Sequence, residues 1–147
     1  MTATALAGCS TGTDDTNNAG GGGGGGEREQ IDSLNRNYTV TEDSWKGSEL
    51  ALPNGGTIEY EGIVRNGPAV DFYVMTSGEY SHFQNQERFQ YLTGVSAPDT
   101  TSVEVSGSVQ SGDYVFIVDN SNMGAASPPT NFNDDAVDVE VELTLYE

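Results

Sequence analysis

The stretch "AVDVEVELTLY", Ala136 to Tyr146, decides the fold prediction for this chain. Valine and leucine occupy every second position from Val137, and acidic residues, threonine and tyrosine stand between them. Such strict alternation over ten residues predicts a β-strand with one buried face and one face in water. A helix would scatter these side chains around its axis, and β-branched residues disfavour a helix.

Similar runs occur throughout the preceding hundred residues, separated by turn residues. "TIEYEGIVR" (57–65) and "PAVDFYVM" (68–75) flank Asn66-Gly67, the strongest short signal for a hairpin, so we expect these two strands to pair. "GDYVFIVDN" (112–120) is apolar on both faces and is expected to be a central strand. Three further runs complete the set, the first two as edge strands: "NYTVTE" (37–42), "SWKGSELALP" (44–53) and "TSVEVSGSV" (101–109).

Seven or eight strands with turn signals about every ten residues predict an all-β chain folded as one antiparallel β-sandwich. The one candidate helix, Ser77–Phe89, is polar and weakly periodic, so we expect one or two turns at most. Composition changes near Asn35. We therefore divide the chain into a disordered tether, residues 1–35, and a sandwich domain, residues 36–147, which is long enough to fold without disulfides.

Acidic residues dominate the charge of the chain. It holds 23 Asp and Glu against 5 Lys and Arg, a formal net charge of −18. Nucleic acids and bare anionic membranes both need a basic surface, so this balance argues against either as a partner. The acids are spread along the whole chain, and salt screens their repulsion. We favour a protein that works in concentrated salt over one whose acidic surface only keeps it soluble.

The single cysteine, Cys9, lies in "LAGCS", which resembles the lipobox of secreted lipoproteins. In that family a signal peptidase cuts before the cysteine, and the cysteine takes the lipid. The resemblance implies a lipid on Cys9, membrane anchoring through it, and a location at the extracytoplasmic face of the cell membrane. Cys9 cannot form an internal disulfide, and an incidental free thiol or an intermolecular disulfide are the alternatives.

The segment after Cys9 fits the role of a tether. Residues 10–26 contain only small and polar residues and end in the glycine run Gly20–Gly26, so they cannot bury enough apolar surface to fold. Residues 1–8 lack the basic start and the apolar stretch of a complete signal peptide. A true start upstream of Met1, a fragmentary chain and an accidental motif remain the three explanations.

The run "SGDYVFIVDNS", residues 111–121, resembles the late strand of GOLD domains, small β-sandwiches in the lumenal part of Golgi cargo receptors. The residues that match the family pattern are Gly112, Tyr114, Phe116, Val118 and Asn120. Residues 58–75 resemble an earlier hairpin of the family, and the last strand resembles its C-terminal one. The resemblance implies a GOLD-like fold that binds other proteins. Ile117 stands at the family's cysteine position, so its disulfide is not expected. Together with the lipobox and the acidic composition, this resemblance suggests a lipoprotein of a halophilic archaeon.

Two groups of side chains are candidates for binding. Asp119, Asn120, Asp134 and Asp135 flank a long loop and could offer oxygen ligands to Ca²⁺, although turn formation by these residues is the alternative. No other cofactor is indicated. Five aromatic residues crowd between positions 73 and 91 and could stack on a sugar or a protein partner: Tyr73, Tyr80, Phe83, Phe89 and Tyr91. We favour the other interpretation of these five, a small hydrophobic cluster beneath residues 77–89.

The remaining signals are weaker. Asn37 begins the sequon "NYT", which would be an acceptor for glycosylation on an exported protein. His82 is the only histidine and lies in a polar segment, so neither a catalytic triad nor a histidine metal site is indicated. We expect no enzymatic activity.

Three hypotheses for the function follow. The first is a lipid-anchored, extracytoplasmic, non-catalytic module that binds a protein partner at the cell surface. The second is a structural component of the cell envelope that assembles through edge strands. The third is a surface protein that binds calcium or carbohydrate.

Overall fold

The computed structural model describes residues 28–126 and 136–147. Cys9, the tether as far as residue 27, Asp134 and Asp135 lie outside the described residues. In chain order the elements are β1 (Gln30–Val40), β2 (Trp45–Leu52), β3 (Gly56–Asn66), β4 (Val70–Thr76), α1 (Ser77–Gln84), a 3₁₀ turn (Thr93–Val95), β5 (Ala97–Thr100), β6 (Ser102–Val109), β7 (Gly112–Asp119) and β8 (Val137–Tyr146).

The eight described strands form two four-stranded antiparallel sheets that pack face to face, so the predicted β-sandwich is confirmed. Sheet A has the order β1-β8-β3-β6, and sheet B has the order β2-β7-β4-β5. β7 is central in sheet B, and β1 and β2 are edge strands, as predicted. β8 buries every second residue and leaves its acidic positions half-buried or exposed, which confirms the alternation.

The main core lies between the sheets. Its buried side chains come from both inner faces and include Val40, Ile58, Phe72, Phe116 and Val141. Two contacts show how tightly this core is packed. A Cβ at Gly62 would overlap the Phe72 ring, and the Tyr60 hydroxyl donates a hydrogen bond to the Val95 carbonyl at 3.0 Å. The core therefore has no room for larger side chains at Gly62.

The predicted hairpin at Asn66-Gly67 is wrong. Both edges of β3 are already occupied, by β8 and β6 in sheet A, whereas β4 pairs with β7 and β5 in sheet B. The chain thus crosses from one sheet to the other at Gly67, whose φ of 118° suits glycine. Turn residues report a change of direction but not which sheet the next strand joins.

Two boundaries and one short strand differ from the sequence expectation. β1 begins at Gln30, so residues 30–35 belong to the sandwich and not to the tether. α1 ends at Gln84, two turns long, within the expected Ser77–Phe89 segment. β5 was missed because it has only four residues. Within the described residues, no helix is long and apolar enough to cross a membrane.

Candidate functional site

A second hydrophobic cluster covers the outer face of sheet B. Because side chains alternate along a strand, Phe72 and Val74 of β4 face the main core while Tyr73 and Met75 face outward. Val115 and Ile117 of β7 extend the same outward face, and all four of these outward side chains are buried. Helix α1 packs Phe83 onto them, so this central part of the face is closed to water.

The five aromatic residues predicted as a group do come together here, in what we call the aromatic cluster. Tyr73 contacts Tyr91 and Phe89, with ring centroids 4.6 and 5.5 Å apart, and Phe83 contacts Phe89 edge-on at 5.0 Å. Tyr80 stacks on Phe83 at 6.3 Å. Such edge-on and offset pairs are the favourable arrangements for aromatic rings.

Trp45 belongs to the same cluster and was missed. It lies on β2 and meets Phe83 edge-on, with ring centroids 4.9 Å apart. Its indole Nε1 donates to the Tyr80 hydroxyl at 3.4 Å. The available signal was its position at the start of a strand, but only the pairing of β2 with β7 brings it to this face.

A pocket of about 560 Å³ opens beside the aromatic cluster. Its lining consists of Tyr73, Gln86, Glu87, Arg88, Phe89, Tyr91, Met123, Gly124 and Ala125. Phe89 and Tyr91 are half-buried, so they offer ring surface, whereas Tyr73 is buried and contributes the floor. Phe83 and Tyr80 support the rings but lie outside the lining. The volume falls within the range of small-molecule and anchor-residue pockets.

Hydrogen bonds hold the chain segment that carries Phe89 and Tyr91. His82 and Glu87 pair at 3.0 Å between Nδ1 and Oε1, and the Gln90 amide donates to Glu79 Oε1 at 2.7 Å. This bond to Glu87 is the main cause that raises the pKa of His82. His82 and Glu87 are about half exposed, so the pair fixes the loop and is not a buried acid–base site. Arg88 forms no ion pair with any described residue.

Two buried carboxylates lie beside this pocket. Asp71 on β4 and Asp119 on β7 are direct cross-strand partners, and both are 0% exposed. Direct partners in an antiparallel pair hold their Cβ atoms about 4.5–5.5 Å apart. Sequence reasoning missed Asp71, although an acid within the apolar run "VDFYVM" was a usable signal.

Loop 121–126 is tied to this carboxylate pair at both ends. Ser121 donates its amide and its hydroxyl to Asp119 Oδ1, at 2.9 and 2.6 Å. The Ala126 amide donates to both oxygens of Asp71, at 3.0 and 3.2 Å. A Cβ at Gly124 would overlap Asp71 Oδ2 and the Tyr73 hydroxyl, so the loop lies directly on the pair. The same loop supplies one wall of the pocket.

Other donors complete the surroundings of Asp71. The Asp99 amide donates to Asp71 Oδ1 at 2.7 Å, and the Tyr73 hydroxyl also hydrogen-bonds its carboxylate. Asp119 Oδ2, by contrast, is buried and has no hydrogen-bond partner within the part of the chain that the structure describes.

Burial dominates the ionisation of both groups. Desolvation raises the pKa of Asp71, partly opposed by its amide hydrogen bonds. Desolvation also raises the pKa of Asp119, to about 6, against the opposing hydrogen bonds from Ser121 and with a further rise from the negative charge of Asp71. Desolvation likewise raises the pKa of Tyr73.

The residues predicted for calcium are placed as follows. Asp119 lies on the outer face of sheet B, whereas the side-chain Nδ2 of Asn120 donates to the Val40 and Thr41 carbonyls at the end of β1. Asp134 and Asp135 lie outside the described residues, so the four-residue calcium site stays a prediction. Among described residues, no group of three or more carboxylate, histidine or cysteine side chains is arranged to hold a metal. The sequon residue Asn37 is exposed on edge strand β1, and its glycosylation also stays a prediction.

Comparison with known proteins adds no family. No protein-family model matches the chain, and no curated protein is significantly similar to it. The function is therefore argued from the site.

Proposed function

We propose that this domain is a non-catalytic binding module that recognises a protein partner at the cell surface through the pocket beside the aromatic cluster. In this proposal a lipid on Cys9 anchors the chain at the extracytoplasmic face of the cell membrane. The glycine-rich tether then lets the domain search for its partner.

The observation that carries the proposal is the composition of the pocket. Half-buried Phe89 and Tyr91 present ring surface at its side, buried Tyr73 forms its floor, and the polar side chains of residues 86–88 stand around them. Aromatic rings inside a polar rim are the features that bind an apolar anchor residue of a partner protein. The hydrogen bonds between His82 and Glu87 and between the Gln90 amide and Glu79 hold the segment with Phe89 and Tyr91 in place before binding. This lowers the entropy cost of binding.

The net charge of −18 adds a preference for the partner. A surface of this charge attracts a partner whose rim is basic around the anchor residue, and it repels acidic ones. Arg88 is the one basic side chain of the pocket lining, which favours a carboxylate or a carbonyl of the partner at that point.

Site-specific photo-crosslinking in native salt tests the pocket. A photoreactive residue in place of Arg88 should capture the same protein in repeated experiments. The same photoreactive residue in place of Glu104, on the outer face of sheet A, should not capture it. Adding Tyr91→Ala to the Arg88 probe should reduce capture at least about tenfold, as expected for loss of an anchor contact. The same proteins captured from both positions would contradict the proposal.

Membrane fractionation with intact mass tests the anchor separately. The native protein should stay with the membrane and carry lipid mass on a chain that starts at Cys9, and Cys9→Ser should release it. If both forms are released and Met1 is retained, the anchor is excluded, whatever the crosslinking result.

A second candidate function is assembly through sheet edges. It is supported by the long edge strands β1 and β6, which have a neighbour on one side only among the described strands. Sedimentation over a wide concentration range tests it: edge assembly predicts concentration-dependent oligomers, and a strict monomer rules it out.

A further inference from the structure

The Asp71–Asp119 pair places two buried carboxylates together without a positive charge from the chain. All five Lys and Arg residues lie in the described part of the chain, and no ion pair there involves either aspartate. Asp43 acts on Asp119 and Asp99 acts on Asp71, so the nearby charged groups are acidic as well. Buried charges of one sign are strongly unfavourable without compensation, so the charge must be balanced from outside the chain.

One oxygen of the pair has no hydrogen-bond partner among the described residues. Asp119 Oδ1 is occupied by Ser121, and Asp71 is occupied by two amides and the Tyr73 hydroxyl. Asp119 Oδ2 is fully buried and accepts no hydrogen bond from residues 28–126 or 136–147. Such an atom in an otherwise satisfied site needs a partner that the described part of the chain does not supply.

We propose that a hard divalent cation of the Ca²⁺ class binds between Asp71 and Asp119, with Asp119 Oδ2 as a direct ligand. A dication cancels both negative charges of the pair, whereas a proton would cancel one. Asp71 Oδ1 already accepts from the Asp99 and Ala126 amides, so Asp71 would contribute to the ion through Oδ2, which shares only the Ala126 amide of these two.

The surrounding oxygens suit the same class of ion. The Tyr73 and Ser121 hydroxyls contact the two carboxylates, and Ca²⁺ accepts hydroxyl, carbonyl and water oxygens in a set of six to eight. With two carboxylates the affinity should be weak, about 10⁻⁴–10⁻³ M, the range of extracellular calcium modules. The proposed site shares Asp119 with the set predicted from the sequence but takes its second carboxylate from another strand.

The ion would act on the pocket through loop 121–126. Ser121 is bonded to Asp119 and Ala126 to Asp71, so an ion that fixes both carboxylates fixes both ends of the loop. Met123, Gly124 and Ala125 between them line the pocket. Calcium should therefore order the pocket wall as well as stabilise the domain.

The test is thermal unfolding of the chelator-treated full chain in concentrated KCl at neutral pH, with added CaCl₂. The melting temperature should rise saturably, by roughly 10 °C when calcium exceeds its dissociation constant a hundredfold. Titration calorimetry should give one ion per chain.

Two variants assign the effect to the pair. Asp119→Asn should abolish the calcium response and, because it removes a buried charge, should raise the melting temperature of the calcium-free protein. A misfolded variant cannot show that rise, so this readout separates loss of the site from loss of the fold. Asp71→Asn should also abolish the response, while the control Glu61→Gln, on the outer face of sheet A, should keep it.

Three results would overturn the proposal. The first is a wild-type melting temperature that calcium does not change. The second is a calcium response that persists in Asp119→Asn, which would place the ion elsewhere. The third is a calcium response of unchanged size in Asp71→Asn, which would leave the ion without the second carboxylate that the proposal requires. None of these results bears on photo-crosslinking at Arg88, so the proposed partner site is tested separately from the proposed ion site.

Discussion

The outer faces of the two sheets follow the same alternation of side chains, but one face stays in water and the other is covered by a helix. On sheet A the outward residues are mostly polar or acidic, and Glu61 stands directly between Glu104 and Glu142 across three strands. On sheet B the outward residues of the central strands are aromatic and aliphatic apart from Asp71 and Asp119, and helix α1 packs on the apolar part. Period two alone predicts a strand, whereas the identity of the outward residues decides whether that face stays in water or receives a second layer.

The largest expected difference between the two outer faces comes from removing the side chain that joins α1 to sheet B. Phe83 is 0% exposed, so Phe83→Ala should lower the free energy of unfolding by about 3–5 kcal/mol. The measurement is urea denaturation in high salt. The matched change on the outer face of sheet A, Ile63→Ala, should cost less than about 1.5 kcal/mol, because Ile63 is only half-buried. Equal losses at the two positions would mean that α1 does not seal a core.

The second-largest effect is the pH dependence that Asp119 brings to sheet B. Its pKa in the folded protein, about 6, lies above its ordinary value of 3.8, so the folded state binds the proton more tightly. Its contribution to stability is therefore fully present below about pH 4 and is lost as the pH rises to about 6. The loss amounts to about 3 kcal/mol, since each pKa unit corresponds to about 1.4 kcal/mol.

This effect is measured as a difference between two proteins, because the many exposed acids also titrate. The free energy of unfolding of the calcium-free wild type, minus that of Asp119→Asn, should fall between pH 4 and pH 6. A difference that stays constant over this interval would show that Asp119 titrates normally.

The third effect concerns the loop that closes over sheet B. A Cβ at Gly124 would overlap Asp71 Oδ2 and the Tyr73 hydroxyl, so Gly124→Ala should cost about 1–3 kcal/mol through displacement of the loop. Gly94 is the matched control, because a Cβ there meets nothing within 4 Å. Thermal unfolding of both variants measures the difference. If Gly124→Ala is as stable as Gly94→Ala, the loop does not lie on the carboxylate pair.

The strands were predictable because their information is local. The alternation in β8 predicts one buried face, and the apolar run in β7 predicts two. Both strands show these burial patterns in the structure. The pairing of β4 was not local. Asn66-Gly67 favours a hairpin, but β3 already has two neighbours, and this competition is visible only when all eight strands are placed.

The site was predictable only in part for the same reason. Crowding in the sequence was enough to group the aromatic residues, because α1 and the following loop fold back over β4. Asp71 and Asp119 are 48 residues apart and meet only through the register of β4 with β7. Trp45 likewise reaches Phe83 through the pairing of β2 with β7. Side chains that meet across strands depend on strand order, which the turn signals did not give.

The smallest expected effect concerns the charge repulsion on the outer face of sheet A. Glu61 faces a carboxylate on each neighbouring strand, so Glu61→Gln should raise the free energy of unfolding in dilute buffer by roughly 0.5–1 kcal/mol. The gain should disappear near 1 M KCl, where the Debye length falls to about 3 Å. The control Glu59→Gln should give no gain in either buffer, because Glu59 pairs with Arg28 at 2.6 Å. Urea denaturation at the two salt concentrations measures both. A gain for Glu61→Gln that persists in concentrated salt would mean that packing, and not charge repulsion, limits this face, and it would remove the physical reason for expecting a protein adapted to high salt.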